Sequence, residues 1–178
     1  ETPITESDNG GSLHDRLAEL GAEAMLDTLE SLDTNELMNE QQNDQLACYA
    51  HKLSKADAQI DWNQTSESIL LTIRAFNPWP VAYAVEDDQR IRVFEAEIHK
   101  AEINRNERNV PGTILSKNRD GVVIACGTGA LCIKKLQLPG AKAMSVSDFV
   151  NGGKKMLEIG TQLTSPESTL IRPETHSW

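Results

Sequence analysis

Apolar positions recur at helical spacing in the first part of the chain and in short runs at strand length in the second. Leu13, Leu17, Leu20 and Ala24 lie three or four residues apart, and Met25, Leu29 and Leu32 extend the stripe. That spacing predicts an amphipathic helix with one face turned toward a partner. Ser12 is placed to cap it, after the turn chemistry of Ser7-Asp8-Asn9-Gly10-Gly11, with Asp15 as a weak capping box. Gly21 interrupts the helix at a cost of about 1 kcal/mol relative to Ala. A second short helix or turn is expected from Thr34, and residues 39–46 read as a polar loop. Ile69, Leu70, Ile73 and Phe76 mark a further helix. Asn63, Thr65 or Ser66 can cap it, and it must end before Pro78, which pushes its predecessor out of the helical region.

After Pro80 the period changes. Val81–Val85, Ile91–Ile98, Thr113–Leu115, Val122–Cys126 and Leu131–Leu138 are apolar runs separated by turn signals such as Asp87-Asp88, Pro111-Gly112 and Asp120-Gly121. About five short strands at this spacing predict a small antiparallel barrel of the oligonucleotide-binding (OB) type. A short helix from Ser145, ended by Gly152-Gly153, closes the unit. The fold class is therefore α+β, with residues 164–178 read as a loose tail rich in Ser, Thr, Glu and Pro.

Charge divides the 178-residue chain, whose formal net charge is −10. Residues 1–46 hold twelve acids and one base, Arg16, for −11, whereas residues 47–178 hold 16 bases and 15 acids, for +1. The acidic balance therefore belongs to the helical lead. The helix of residues 12–32 needs something to bury its stripe, and the eleven residues before it offer no sheet. The chain is thus expected to be the later part of a longer protein.

Candidate chemistry is sparse. Cys48, Cys126 and Cys132 form no C-x-x-C pair and fit free thiols in a reducing compartment, the cytoplasm. His14, His51, His99 and His176 have no metal-ligand spacing, so no metal is expected. His14, beside Leu13, is expected to be partly buried. Gly127-Thr128-Gly129 lacks the context of a phosphate cradle and reads as a hairpin turn. No catalytic constellation emerges, and no apolar run reaches the ~20 residues of a membrane span. The bases are more informative. Lys52 and Lys55 lie in a connector with His51 beside them, Arg74 sits near the end of the second helix, and Arg90 and Arg92 share one strand face. Lys134 and Lys135 are expected on opposite faces of another strand, with Lys142, Lys154 and Lys155 beyond. Such bases on a barrel can track a phosphate backbone.

Two stretches are too particular for composition to explain: Tyr49-Ala50-His51-Lys52-Leu53-Ser54-Lys55-Ala56-Asp57-Ala58-Gln59-Ile60-Asp61-Trp62 and Ile73-Arg74-Ala75-Phe76-Asn77-Pro78-Trp79-Pro80. In this order they resemble the linker and the start of the C-terminal domain of the bacterial methionyl-tRNA formyltransferase family. Pro3-Ile4-Thr5, Gly11 through Gly21, Pro111-Gly112-Thr113-Ile114 and Lys142-Ala143-Met144-Ser145 fit the same pattern. The resemblance implies the end of a Rossmann-like catalytic domain over residues 1–46, a linker over 47–62, an OB-like domain over 63–163 and a tail over 164–178. It implies that the Asn, His and Asp of the catalytic domain, and the binding of the formyl donor 10-formyltetrahydrofolate, belong to a missing N-terminal domain. This chain then carries no catalytic residue and no cofactor of its own. Its partner would be methionyl-initiator tRNA, with Lys52 and Lys55 in the matching motif as first candidates for contact and Arg74, Lys134 and Lys135 as further ones. Arg74 could instead pair with Asp61 or support the turn, and Trp79 is expected to pack the helix on the barrel. Val81 stands where the family commonly has a small residue. A sugar-nucleotide or other folate-dependent formyltransferase, and a non-enzymatic protein-interaction module built on the acidic helix, are the competing readings.

Overall fold

The computed structural model describes residues 1–34, 40–100 and 110–166. The charged loop before Pro111, the segment after Thr34 and most of the expected tail lie outside these residues. Helix α1 spans Gly10–Asp33 and α2 Ser66–Ala75. The strands are β1 (Tyr83–Glu86), β2 (Gln89–Ile98), β3 (Ile114–Asn118), β4 (Gly121–Ala125), β5 (Ala130–Gln137) and β6 (Met144–Ser145), followed by α3 (Val146–Asn151). Helices α2 and α3 and an antiparallel sheet share one core, as expected for α+β.

The sheet runs β1-β2-β5-β4-β3, and the two-residue β6, which the apolar pattern did not mark, pairs with the end of β5. Asp87 and Asp88 make the two-residue β1–β2 turn with φ of 47° and 63°, the left-handed geometry such hairpins need and Asp tolerates. The two edges of the path are tied by the segment after α3. Leu163 N donates to Gly112 O and Thr164 N donates to Val85 O, each at 2.9 Å. This closes the sheet on itself, as a barrel must to hide its edges. Thr164 and Ser165, assigned above to the tail, thus belong to the barrel. Ser165 Oγ also accepts from Trp62 N at 3.0 Å.

The linker boundary shifts likewise. Ala58, Ile60 and Trp62 are fully buried, and Ile60 N and Tyr83 N exchange hydrogen bonds with β1 and the linker backbone. Inside, Ile91, Val93, Ile124, Ile133 and Leu136 meet Ile69 and Ile73 of α2 and Phe149 of α3. Lys117 pins the segment after α3 to β3, donating to Lys154 O, Met156 O and Glu158 Oε1 and standing 4.8 Å over the Phe149 ring.

Helix α1 is different: none of its residues is buried. Leu17, Met25, Leu26, Leu29 and Leu32 are each at least half exposed. The helix is held at its first turn. Asn9, rather than Ser12, is its cap: Asn9 Oδ1 accepts from Ser12 N at 2.9 Å and Ser12 Oγ accepts from Asn9 N at 3.0 Å. The start moves because the two glycines can enter the first turn. A Cβ on Gly10 would strike Ala75 O, and one on Gly11 would lie 2.8 Å from Pro78 Cδ. Their absence lets Gly11 N donate to Asn77 O at 2.9 Å. Asp8 braces the same joint. Its carboxylate takes both nitrogens of Arg16 at 2.7 and 2.9 Å, together with Thr5 N at 2.7 Å. The Arg16 guanidinium holds its pKa well below the ordinary carboxylate range.

Two outcomes follow. Gly10→Ala should loosen the joint by about 1–3 kcal/mol, as overpacking does. Gly21→Ala, with open space around it, should raise helicity by about 0.5–1 kcal/mol; thermal melts at 222 nm compare them. The Asp8–Arg16 bond contributes fully above the ordinary Asp value of about 3.9. It is lost only as pH falls through the lowered folded-state value, because the ionised form is the one held. Carboxyl NMR should find Asp8 titrating below other aspartates, and Arg16→Gln should return it toward them.

Candidate nucleic-acid interface

Arg90 and Arg92 are two residues apart on β2 and so share a face. Across the sheet Arg92 sits between Tyr83 of β1 and Gln137 of β5. Its Nη1 donates to Gln137 Oε1 at 3.2 Å, and Gln137 Nε2 in turn donates to Ala141 O at 2.7 Å. Arg90 lies 4.8 Å over the Tyr83 ring, a cation–π contact that leaves its N–H edge free. This row floors a groove of about 630 Å³. Trp79 and its flanking prolines form one rim, the Leu138–Gly140 turn another, and Lys55 reaches it from the linker. The turn that carries Lys55 is set by Asp57, whose Oδ2 accepts from Ser54 N at 2.7 Å and whose pKa is lowered by that bond.

Among the described residues, three cations therefore face the groove against one carboxylate, Asp88. Among the described residues neither Lys55, Arg90 nor Arg92 makes an ion pair. The sequence motif had singled out Lys55. Arg90 and Arg92 stood outside the five favoured residues, although their i, i+2 spacing was the signal that could have raised them. Lys52 is exposed in the linker near His51, whose ring contacts Tyr49 edge-on at 4.7 Å.

The other candidates lie elsewhere. Arg74 does not pair with Asp61 among the described residues. Its Nε donates to Asp8 O at 2.8 Å and its Nη2 to Thr5 O at 2.6 Å, so it fastens the start of α1. Lys134 and Lys135 are not on opposite faces. The β2–β5 register shifts between Glu95 and Ala96, which makes Lys134 an extra residue on β5. Both lysines then meet acids of β2, Lys134 with Glu97 at 2.9 Å and Lys135 with Glu95 at 3.1 Å. The Glu97 carboxylate raises the Lys134 pKa, and Lys134 Nζ also donates to Asp120 O at 2.7 Å. Trp79 does not pack the helix on the barrel but is 57% exposed, and His14 is exposed beside Asp15 rather than partly buried. Val81 takes φ of 68°, a left-handed geometry that suits a glycine.

Residues 52–154 match the family model described as the formyl transferase C-terminal domain. A methionyl-tRNA formyltransferase of Marinobacter nauticus is 47% identical over 92% of this chain and 51% of its own length. One from Hahella chejuensis is 44% identical over 91% of this chain and 50% of its own. The chain thus spans about half the length of the curated relatives it matches. Among solved structures, a variant of HypX from Aquifex aeolicus aligns over 85% of this chain and 27% of its own, with TM-score 0.59 and 19% identity. The same protein in complex with tetrahydrofolic acid aligns over 73% of this chain and 22% of its own, with TM-score 0.51 and 20% identity. At those identities the likeness is one of fold.

The described residues contain no cluster of three metal-ligating side chains, and no described helix is long and apolar enough to cross a membrane. His14, His51 and His99 stand on separate segments. Burial pushes the Cys126 thiol up to about 12 and raises Cys132 as well, which leaves little thiolate at neutral pH. Cys48 is exposed. A thiol titration of the native protein with a disulfide reagent at pH 7.5 should find Cys48 alone reacting quickly. Cys126 and Cys132 should react only in denaturant.

Proposed function

The chain belongs to the formyl transferase C-terminal domain family, and from that membership we propose that it is the tRNA-holding half of a methionyl-tRNA formyltransferase. The intact enzyme would transfer a formyl group from 10-formyltetrahydrofolate to the amino group of methionyl-initiator tRNA for translation initiation in the cytoplasm. The observation that carries this reading is the 47% identity to an enzyme of that name, sustained over 92% of the chain. The structure supports the division of labour. Among the described residues His14 contacts the exposed Asp15 and His51 contacts Tyr49, and this reading assigns no Asn–His–Asp site and no folate donor to them. Binding of the donor and formyl transfer fall to the half that these relatives have in addition.

That half also explains α1. A stripe of leucines open to water is unfavourable by about 25 cal/mol per Å² of apolar surface, and a preceding catalytic domain would cover it. Its acids then form the outer flank of that domain, while the unpaired bases of the linker and barrel face the tRNA. Lys52 and Lys55 contact phosphates near the acceptor end in this reading. Lys134 and Lys135, neutralised by Glu97 and Glu95, contribute less, and Arg74 acts through the joint.

Initiator tRNA should bind this chain with an affinity that falls steeply as salt rises, because each phosphate contact releases counterions. Lys52→Ala with Lys55→Ala should lower the slope of log affinity against log salt by about two. An unchanged slope would remove both lysines from the interface. The chain given formyl donor and charged tRNA should show no formyl transfer, and measurable turnover would sink the assignment of chemistry to the other half.

A further inference from the structure

We propose that the groove between Trp79, the Arg90–Arg92 row and the Leu138–Gly140 turn seats one unpaired nucleotide of RNA. Its base lies on the Trp79 indole and its flanking phosphates lie on Lys55, Arg90 and Arg92. The proposal rests on the tRNA reading above and narrows it to one subsite.

Trp79 is the starting point. It is 57% exposed and lines the groove, although its size would ordinarily favour the core. Pro78 and Pro80 fix the backbone angles on either side of it. The turn is tied down further by Val81 N donating to Phe76 O at 2.9 Å and Asn77 Nδ2 donating to Phe94 O at 3.1 Å. An aromatic face held this way is a platform, and every base has a face to stack on it. The groove volume of about 630 Å³ falls within the range of roughly 300–1,000 Å³ common for small-ligand clefts. Arg90 and Arg92 present guanidinium forks that match phosphate oxygens, and no described carboxylate occupies them.

The indole selects the partner. In an RNA duplex the faces of the bases are covered by their neighbours, and only unpaired nucleotides can splay onto an aromatic side chain. The carboxylates of an acidic peptide would satisfy the cations but offer no flat ring to Trp79.

The test uses the whole chain at fixed low salt, with two probes: an initiator tRNA transcript and an unstructured hexaribonucleotide. Trp79→Ala is expected to weaken both about tenfold, the scale seen when a stacking aromatic is removed, and Trp79→Phe to retain most of the affinity. Trp79→Ala should leave the salt slope unchanged, whereas Arg90→Ala with Arg92→Ala should lower it by about two. Should Trp79→Ala fail to fold, Trp178→Phe leaves Trp79 as the exposed indole beside the buried Trp62, and the hexamer should then quench its fluorescence. No quenching, or wild-type affinity of Trp79→Ala for both probes, overturns the seat and leaves the proposed function standing. Binding that depends on the arginines but not on Trp79 also overturns it and marks a general polyanion surface. Hexamer binding that depends on Trp79, without tRNA binding, keeps the seat and overturns the proposed function. Binding of neither probe overturns both.

Discussion

The structure turns on the joint at the C-terminal end of α2. Helix α1 buries nothing along its length, so its direction is set where it begins. There the Arg74 guanidinium holds Thr5 O and Asp8 O, and Asn77 O receives Gly11 N. Hydrogen bonds to a charged donor are among the stronger ones a surface can make, and two of them converge on the last turn of a helix whose other face is in the barrel core. The next residues carry the groove rim. Asn77 reaches Phe94 of β2 through its side chain while its carbonyl receives α1. One short turn therefore fixes both the exit of the acidic helix and the position of Trp79. A change that repositions the helix moves the rim with it.

Legibility in the sequence followed the range of the interaction. Helix α2, the strand runs and the hairpin turns depend on local period and turn chemistry, and the sequence marked them. The barrel type also followed from strand count and spacing. The linker end was legible but misassigned. Ala58, Ile60 and Trp62 alternate with Gln59 and Asp61 at period two, a strand signal, and they are buried in the barrel. The motif containing Lys52 and Lys55 drew attention to the same stretch for a different reason and hid its ending. The closing segment had no such signal. Leu163 and Thr164 bond to Gly112 and Val85, partners distant in the chain, through backbone groups alone.

The site was harder because charge alone does not tell which bases are free. Arg74 reads equally as a binding base or as a partner of Asp61 or support of the turn, and only the fold shows the carbonyls it serves. Lys134 and Lys135 read as split between two faces because a strand alternates. The extra residue in the β5 register brings both against Glu95 and Glu97. Trp79 read as packing because large aromatics usually do. Val81 is a related case: a β-branched residue at positive φ conflicts with its own preference, and the bonded turn around it holds the conformation.

The unpaired cations now gain meaning from the acidic total. In a chain of net charge −10, a base on the surface has many carboxylates to choose from. Arg16, Lys117, Lys134 and Lys135 each have one. Such pairs contribute only about 0–1 kcal/mol when exposed, so folding does not require them and does not forbid leaving a base alone. What distinguishes Lys55, Arg90 and Arg92 is that, among the described residues, all three lack an ion pair and together line a groove with one described acid, Asp88. The described acids of residues 1–46 do not neutralise them by contact. The separation of charge along the chain thus becomes a separation of tasks. The acidic helix leaves its leucines open to water, and the near-neutral barrel gathers a local positive field beside an exposed indole, the seat proposed above for a phosphate and a base.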